Sequence, residues 1–322
     1  MDKYLISVII PVFNAKDYIR ECIDSVLNQT IKGIEIVVID DGCTDGTTEI
    51  LREYKKSYSN INLIEKANEG VLAARHDGIL NAHGELIGWV DADDFLDISM
   101  YQELYDLMIR ENADYVYCDY NFYPEEIKSK AKWFKEWHGV MDWKFLERNT
   151  QCWKSLTKKE LLDQINTADN YLRYGEYAWI EVLLNAKKIA YTNKCLYNFR
   201  VGHVSLSSAN FEGRVQKFKS GVEQASHLKE ILRGTKYESS LSAYFDYRYI
   251  YTLLQLEVVA AVNKDRTAYM EASRELERMH FRSNQYVKEI LDFNHGKKKS
   301  FVLRNFIPAS YSAAVLITKA VY

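Results

Sequence analysis

The sequence has few of the residues that cross-link, kink or disorder a chain. Its 322 residues include only 3 prolines and 5 cysteines. The cysteines are odd in number, widely spaced and never in a Cys-x-x-Cys pair, which argues against a disulfide framework or a zinc site: Cys22, Cys43, Cys118, Cys152 and Cys195. No apolar run reaches the roughly 18 residues of a membrane span, and the first residues lack the apolar core of a leader peptide. We therefore expect a reducing, cytoplasmic setting.

An excess of positive charge is also missing. The chain carries 42 basic and 45 acidic side chains, a formal charge of -3, so we expect no nucleic-acid partner. The segment 297–322 differs, because it joins basic side chains to apolar ones and has no acid. Such a pattern suits peripheral contact with an anionic membrane. Packing on the protein's own core or a homo-oligomer contact explains it equally well.

Short apolar runs alternate with helical patterns over the first hundred residues. Strands are predicted at Ser7–Val12, Glu35–Ile39, Asn62–Ile64 and Leu86–Val90. Apolar spacing predicts helices between them, one capped at Asp45 and one over Val71–Ala82. This rhythm indicates a mostly parallel sheet covered on both faces. Further on, the pattern predicts a helix at Met100–Glu111, a strand at Asp114–Asp119, short helices with aromatic clusters over 131–205, and only helices from about residue 210.

Acidic residues follow two of these predicted strands. Asp40 and Asp41 follow one, and Asp91, Asp93 and Asp94 follow another. Ligands of open α/β folds bind at the carboxyl ends of strands, where clustered carboxylates repel one another unless a cation neutralises them. Oxygen ligands without a nearby pair of His or Cys residues favour Mg²⁺ or Mn²⁺ bound to a diphosphate. The alternative is that these acids only cap helices and form turns.

Other nucleotide-binding signatures are missing. No Gly-x-Gly-x-x-Gly follows the first strand, and no phosphate-binding Gly-x-x-x-x-Gly-Lys-Ser/Thr occurs. A dinucleotide oxidoreductase or a P-loop enzyme is therefore disfavoured.

Four motifs together resemble family 2 glycosyltransferases of the GT-A fold, in residues, order and spacing: Pro11-Val12-Phe13-Asn14, the run from Ile39 to Thr47, Asn68-Glu69-Gly70 with Ala74-Arg75, and Asp91-Ala92-Asp93-Asp94. The resemblance is close over residues 4–105 and weaker over 150–206. It implies a GT-A fold, a Rossmann-like and mostly parallel sheet flanked by helices, with a C-terminal helical extension. It also implies a nucleotide-sugar-binding half (1–110), an acceptor-binding half (111–206) and a helical extension with a basic tail (207–322).

The resemblance also implies roles for individual residues. The positions matching the family's nucleotide and donor site are Pro11, Val12, Phe13, Asn14, Asp40, Asp41, Asn68, Arg75, Asp91 and Ala92. Asp40 would hydrogen-bond the base, Asp93 would bind the metal, and Asp94 would lie beside the donor sugar or the acceptor. The segment 197–200 resembles the family's Tyr-x-Tyr-Arg, after which His203 would complete the shell of Mn²⁺ or Mg²⁺. A surface histidine is the alternative for His203.

Relatives of this type typically invert the anomeric carbon and take their base from a Glu-Asp pair. Here Glu176 is followed by Tyr177, and a tyrosine phenol is a poor base at neutral pH. Three explanations remain open: Glu176 or a nearby acid (Asp94, Glu181 or Asp169) is the base, the match is shifted by a few residues, or catalysis is impaired. Taken alone, Glu176 would read as a solvent-exposed or capping acid.

The function that the resemblance implies is sugar transfer from a nucleotide-sugar, UDP-linked in many relatives, to a glycan or lipid-linked acceptor in cell-surface polysaccharide synthesis. A catalytically impaired subunit that binds nucleotide-sugar or a partner enzyme is the alternative of another class, and Tyr177 is the residue that supports it. A nucleotidyltransferase would also use paired acids with Mg²⁺. It is weaker here because the chain lacks a basic glycine-rich loop.

Overall fold

The computed structural model describes residues 4–124, 141–149, 151–202, 214–305, 310–312 and 314–315. Of residues 148, 174, 176, 293–299 and 302 it describes the backbone only. The chain divides into two compact units, Met1–His203 and Val204–Tyr322.

The described residues of the first unit form one sheet of eight strands: β1 (Ile6–Val12), β2 (Ile34–Asp41), β3 (Ile61–Lys66), β4 (Leu86–Trp89), β5 (Phe95–Leu96), β6 (Tyr115–Tyr123), β7 (Ser155–Lys158) and β8 (Ile189–Arg200). Their order across the sheet is β3-β2-β1-β4-β7-β6-β8-β5. The first four pair in parallel. β7 runs antiparallel to both β4 and β6, so the sheet is mixed.

The central parallel strands are buried on both faces. Every residue of β2 is buried, and β1 is buried except at Pro11. Such continuous burial is typical of parallel strands with a layer of helices on each side. The register places Val12 opposite Asp40, so the loops that follow β1 and β2 leave the sheet together.

Helices of the first unit connect these strands: α1 (Ile19–Leu27), α2 (Thr47–Ser57), α3 (Val71–Leu80), α4 (Met100–Glu111), α5 (Trp143–Arg148), α6 (Lys159–Gln164), α7 (Thr167–Tyr174) and α8 (Ala178–Asn185). In α1 the buried side chains are Ile19, Cys22, Ile23 and Val26, one face of the helix. The N-cap of α2 is Gly46 rather than Asp45. Asp45 still accepts a hydrogen bond from the Thr47 N–H, at 3.0 Å.

The described part of the second unit is helical: α9 (Val215–Ser226), α10 (Leu228–Leu232), α11 (Glu238–Val262), α12 (Arg266–Arg278) and α13 (Gln285–Asn305). This agrees with the helical pattern predicted from about residue 210. None of the helices in the described ranges is both long and apolar enough to cross a membrane. Most of 306–322, the end of the predicted membrane-contact segment, lies outside the described residues.

The four strands predicted in the first hundred residues lie within one or two residues of the observed ones, and the fold class is confirmed. The predicted strand Asp114–Asp119 continues four residues further, to Tyr123. Three strands were not predicted: β5, which has only two residues, β7 and β8. β7 has only four residues, and β8 is a 12-residue strand with three exposed positions in a row, Asn193 to Cys195. Neither has the apolar alternation that marks a strand in a sequence.

Candidate active site

The loops after β1 and β2 are tied to each other by side chains. Asn14 has a positive φ of 50°, a conformation that Asn tolerates better than most residues. Its Oδ1 accepts from the Thr44 N–H at 2.8 Å, and its own N–H lies 3.2 Å from Cys43 Sγ. Phe13 leaves 43% of its surface exposed. An aromatic ring at the open rim of a polar loop offers a stacking surface for a planar group.

Asp40, the last residue but one of β2, is buried and holds the turn that follows. One carboxylate oxygen accepts from the Cys43 N–H at 3.0 Å, and the other accepts from the Thr48 hydroxyl at 2.5 Å. Burial, together with the nearby Asp40 carboxylate, raises the pKa of the Cys43 thiol to about 12. Cys43 is therefore a protonated turn residue and not a nucleophile.

Asp41 fixes a third loop at the same edge. Its two carboxylate oxygens accept from the backbone N–H groups of Glu69 and Gly70, at 2.9 and 2.8 Å. The φ of Gly42 is +75°, and a Cβ there would lie 2.8 Å from the Asn68 backbone nitrogen. Only glycine fits this approach. The exposed Asn68 is thus held beside the β1 and β2 loops.

The acidic turn, residues 91–94, follows β4 at the neighbouring position in the sheet. A backbone hydrogen bond from Asp94 N–H to the Asp91 carbonyl closes it at 3.0 Å. The Asp91 side chain is 31% exposed, Asp93 is half-buried, and Ala92 and Asp94 are buried. The turn thus directs two acids toward solvent and one into the protein.

Arg75 connects the acidic turn to the neighbouring helices. It lies in α3, which begins directly after the loop held by Asp41. Its guanidinium group is 3.6 Å from Asp91 Oδ1 and 5.9 Å from the centre of the Tyr171 ring in α7. A nearly buried guanidinium beside a carboxylate offsets part of the negative charge of the turn.

Asp94 shows how strongly the acids interact. Burial, followed by repulsion from Asp91 and Asp93, raises its pKa to about 8. Its carboxylate accepts from the Tyr197 hydroxyl and from the Arg200 backbone N–H, both at 2.7 Å. Burial raises the pKa of Tyr197 well above its usual value, so this phenol stays protonated and able to donate.

The predicted base, Glu176, lies between two consecutive helices, α7 and α8. Glu176 is in a single 3-10 turn (Gly175–Tyr177) between α7 and α8, and its side chain lies outside the described part. Of the other acids considered, Glu181 accepts from Asn170, and burial raises its pKa to about 7. Asp169 lies 3.5 Å from His76 Nε2. The α7–α8 pair packs on Trp89 of β4, through Tyr171 and Trp179.

The residues of the acidic turn fit a divalent ion only when other oxygens complete its shell. Among the described residues, no group of three or more His, Cys, Asp or Glu side chains is placed to hold a metal. Mg²⁺ commonly takes one or two carboxylates and completes its shell from substrate phosphates and water. Asp91 and Asp93 suit that arrangement. His203, the predicted third ligand, lies outside the described residues.

The structure thus brings most of the predicted site residues to one edge of the sheet. The β1 and β2 loops, the Asn68 loop and the acidic turn meet there through Asp41 and Arg75. Sequence reasoning gave no role to Tyr197, Arg200 or Tyr171, which contact the acids or Arg75. The Tyr-x-x-Arg spacing at 197–200 was the available signal. No local pattern marked Tyr171.

Comparison with known proteins identifies the chain. The model of the family described as "Glycosyl transferase family 2" matches residues 7–170, about half of the chain. Glycosyltransferase GlyA of Streptococcus pneumoniae is 32% identical over 218 residues, which cover 63% of this chain and 31% of GlyA. The chain therefore corresponds to about a third of that relative.

Solved structures share the fold. S. aureus TarS 1-349 in complex with UDP-GlcNAc superposes with a TM-score of 0.67 at 17% identity, covering 96% of this chain and 91% of TarS 1-349. The mannosyltransferase PcManGT from Pyrobaculum calidifontis, in complex with GDP-Man and Mn²⁺, gives a TM-score of 0.53 at 16% identity, covering 98% and 87%.

Proposed function

The chain belongs to glycosyl transferase family 2. From this premise we propose that it is a glycosyltransferase, which moves the sugar of a UDP-sugar to a hydroxyl group of a glycan or lipid-linked acceptor in cell-surface polysaccharide synthesis. The observation that carries the proposal is the meeting of two acid groups at one edge of the sheet. Asp40 and Asp41 organise the first, and Asp91 and Asp93 form the second, next to Arg75.

The loops after β1 and β2 would bind the nucleoside. Pro11, Val12 and Phe13 would line the base pocket, with the half-exposed Phe13 ring as its apolar wall. Asp40 matches the family's base-binding acid; since its two oxygens already accept from the Cys43 N–H and the Thr48 hydroxyl, it would accept from the base through a further lone pair. The side chains of Asn14 and Asp41 already accept hydrogen bonds within the loops, so they would hold the loops in place. The exposed Asn68 and the buried Arg75 would contact the donor.

The acidic turn would hold the diphosphate and a divalent ion, Mn²⁺ or Mg²⁺. Asp93 would be the direct ligand, with Asp91 and the Ala92 backbone beside the donor and His203 as a further ligand. A bound divalent ion neutralises the charge that develops on the leaving diphosphate. The bound UDP-GlcNAc of TarS and the bound GDP-Man and Mn²⁺ of PcManGT support a nucleotide-sugar and a metal here.

Transfer would follow a single inverting displacement. Glu176 would take the proton of the acceptor hydroxyl, because it matches the family's base and precedes a helix that packs on β4. Asp94 is sealed from solvent and accepts two hydrogen bonds. We therefore expect Asp94 to line the pocket beside the donor sugar and not to act as the base.

The proposal assigns a different role to each of three segments of the chain. Residues 1–110 would bind the nucleotide-sugar, 111–206 the acceptor, and 207–322 would form the helical extension. The basic tail would place the enzyme on the inner face of the membrane, where a lipid-linked acceptor is reached without a membrane span. Loss of vesicle binding after removal of 297–322 tests that placement.

A panel of nucleotide-sugars with Mn²⁺ or Mg²⁺, scored for binding and for release of nucleoside diphosphate, tests the function. We expect metal-dependent binding and release with one UDP-sugar. No binding of any nucleotide-sugar would contradict the assignment of Asp40, Asp91 and Asp93.

Tyr177 supports a second candidate, a binding subunit without transferase activity, since the family's base pair is incomplete at that position. This candidate predicts metal-dependent binding without release, even when candidate acceptors are present. Release of UDP would exclude it.

A further inference from the structure

Tyr197 joins the two ends of the acidic turn. Its hydroxyl donates to Asp94 Oδ2 at 2.7 Å and accepts from the Asp91 backbone N–H at 3.2 Å. The side chain is fully buried, and its ring centre lies 4.6 Å from that of Trp153. A buried tyrosine hydroxyl usually finds one partner. This one has two, and both belong to the acidic turn.

Arg200, three residues further along β8, holds the same turn. Its backbone N–H donates to Asp94 Oδ1 at 2.7 Å, and its Nε donates to the Asp93 carbonyl oxygen at 2.8 Å. The guanidinium group also pairs with Glu21 of α1 at 2.5 Å. One strand therefore contacts Asp91, Asp93 and Asp94, although 103 to 107 residues separate the partners in the sequence.

The physical need for this contact comes from repulsion within the turn. Asp91 and Asp93 repel each other, and Asp94 between them and the protein interior is accommodated only when it binds donors or a proton. The Tyr197 hydroxyl binds Asp94 from inside the protein, so Asp91 and Asp93 keep their places at the solvent side. Groups that orient metal ligands from behind typically change metal affinity by about 10- to 100-fold when they are removed.

We propose that Tyr197 is a positioning residue that sets the spacing of Asp91 and Asp93 for a divalent ion bound to the donor diphosphate. The inference rests on the proposed function but makes a separate claim. The hydroxyl acts on the metal-dependent part of nucleotide binding and leaves the base-binding loops alone.

The test compares Tyr197→Phe with Tyr101→Phe. Both tyrosines are fully buried in the first unit. Among the residues that the structure describes, the Tyr101 hydroxyl makes one long contact, 3.5 Å, to the Trp89 carbonyl and bonds none of the acids of the turn. UDP affinity is measured by calorimetry with Mn²⁺ and with EDTA. For Tyr197→Phe we expect affinity about 10- to 100-fold weaker with Mn²⁺ and unchanged with EDTA; for Tyr101→Phe we expect both affinities unchanged.

The outcomes separate the inference from a packing role. Equal losses with Mn²⁺ and with EDTA, or no loss at all, would overturn it. In an Asp94→Ala background, Tyr197→Phe should add little further loss, because Asp94→Ala already removes the acceptor of the same hydrogen bond. If Tyr197→Phe does not fold, Asp94→Ala alone must show the Mn²⁺-specific loss, and normal affinity there counts against the inference.

Failure of the proposed function gives a different result. A wild-type protein whose UDP affinity is the same with Mn²⁺ and with EDTA would overturn the metal-dependent function, and the inference with it. Wild-type affinity that rises with Mn²⁺, combined with a normal Tyr197→Phe, would overturn the inference alone.

Discussion

The two ends of the parallel sheet both carry buried carboxylates, but they use them differently. At the amino end, Glu35 is 2% exposed. It accepts from the Ser7 hydroxyl and from the backbone N–H groups of His83 and Gly84, and the His83 ring lies 3.1 Å from its second oxygen. Glu35 thus ties β1, β2 and the start of β4 together.

At the carboxyl end, three acids are crowded into one four-residue turn, in which donors hold the buried Asp94 while Asp91 and Asp93 stay partly exposed. The Asp91 side chain is 31% exposed, and repulsion from Asp91 and Asp93 adds to burial in raising the pKa of Asp94. A lone carboxylate enclosed by donors stabilises a fold, whereas grouped, accessible carboxylates gain most from a cation brought by a ligand. The predictions below test this contrast.

The largest expected effect is on chemistry at the carboxyl end. Glu176→Gln should lower turnover by about 10²- to 10⁴-fold with donor affinity little changed, because it removes the base and keeps the shape. Steady-state kinetics with the active donor measure both values. Glu181→Gln is the matched comparison, and a larger loss there would transfer the role of base to Glu181.

Asp93→Asn should lower turnover by about 10²- to 10³-fold and weaken Mn²⁺-dependent UDP binding, since one charge that faces the ion is lost. The melting temperature should stay the same, because the side chain is half-buried. The exposed Asp106→Asn serves as the neutral control. Normal Mn²⁺-dependent affinity would remove Asp93 from the site.

Glu35→Ala should have the opposite profile. The change leaves the Ser7 hydroxyl and the His83 backbone N–H without their acceptor, whereas the Gly84 N–H keeps the Ser7 hydroxyl oxygen. The expected cost is about 1–3 kcal/mol in the free energy of unfolding. Urea unfolding measures the loss. Turnover per folded molecule should remain normal, and a selective loss of turnover would break the contrast between the two ends.

The smallest effect concerns a buried carboxylate away from the sheet, Glu257 of α11 in the second unit. One of its oxygens accepts from the Ser273 hydroxyl, and within the described residues the other accepts no hydrogen bond. Burial raises its pKa from 4.5 to about 8. The folded state therefore holds the proton more tightly than the unfolded state does.

The stability that this proton contributes is complete below pH about 4.5 and is lost as the pH rises toward 8. Glu257→Gln should flatten this dependence by about 1–2 kcal/mol. Melting curves recorded from pH 5 to 8 measure it. Identical slopes for the wild type and the variant would show that Glu257 is not buried as described.

The first half of the fold could be predicted because its signals are local. The β1 and β2 runs are continuous apolar segments, and α1 repeats its apolar residues at helical spacing. β8 could not be predicted in this way. Its exposed middle has no apolar alternation, and its pairing with β6 and β5 depends on segments about 70 to 100 residues away.

The sequence by itself determined the family, the parallel half of the sheet and the acids that follow its strands, because adjacent residues carry these motifs. Only the tertiary structure decided that Asp94 is sealed while Asp91 reaches solvent, and that Tyr197 bridges both. Burial and hydrogen bonding depend on which distant strand lies alongside. The order of the strands in the sheet determines that neighbour, and a local sequence pattern does not predict this order.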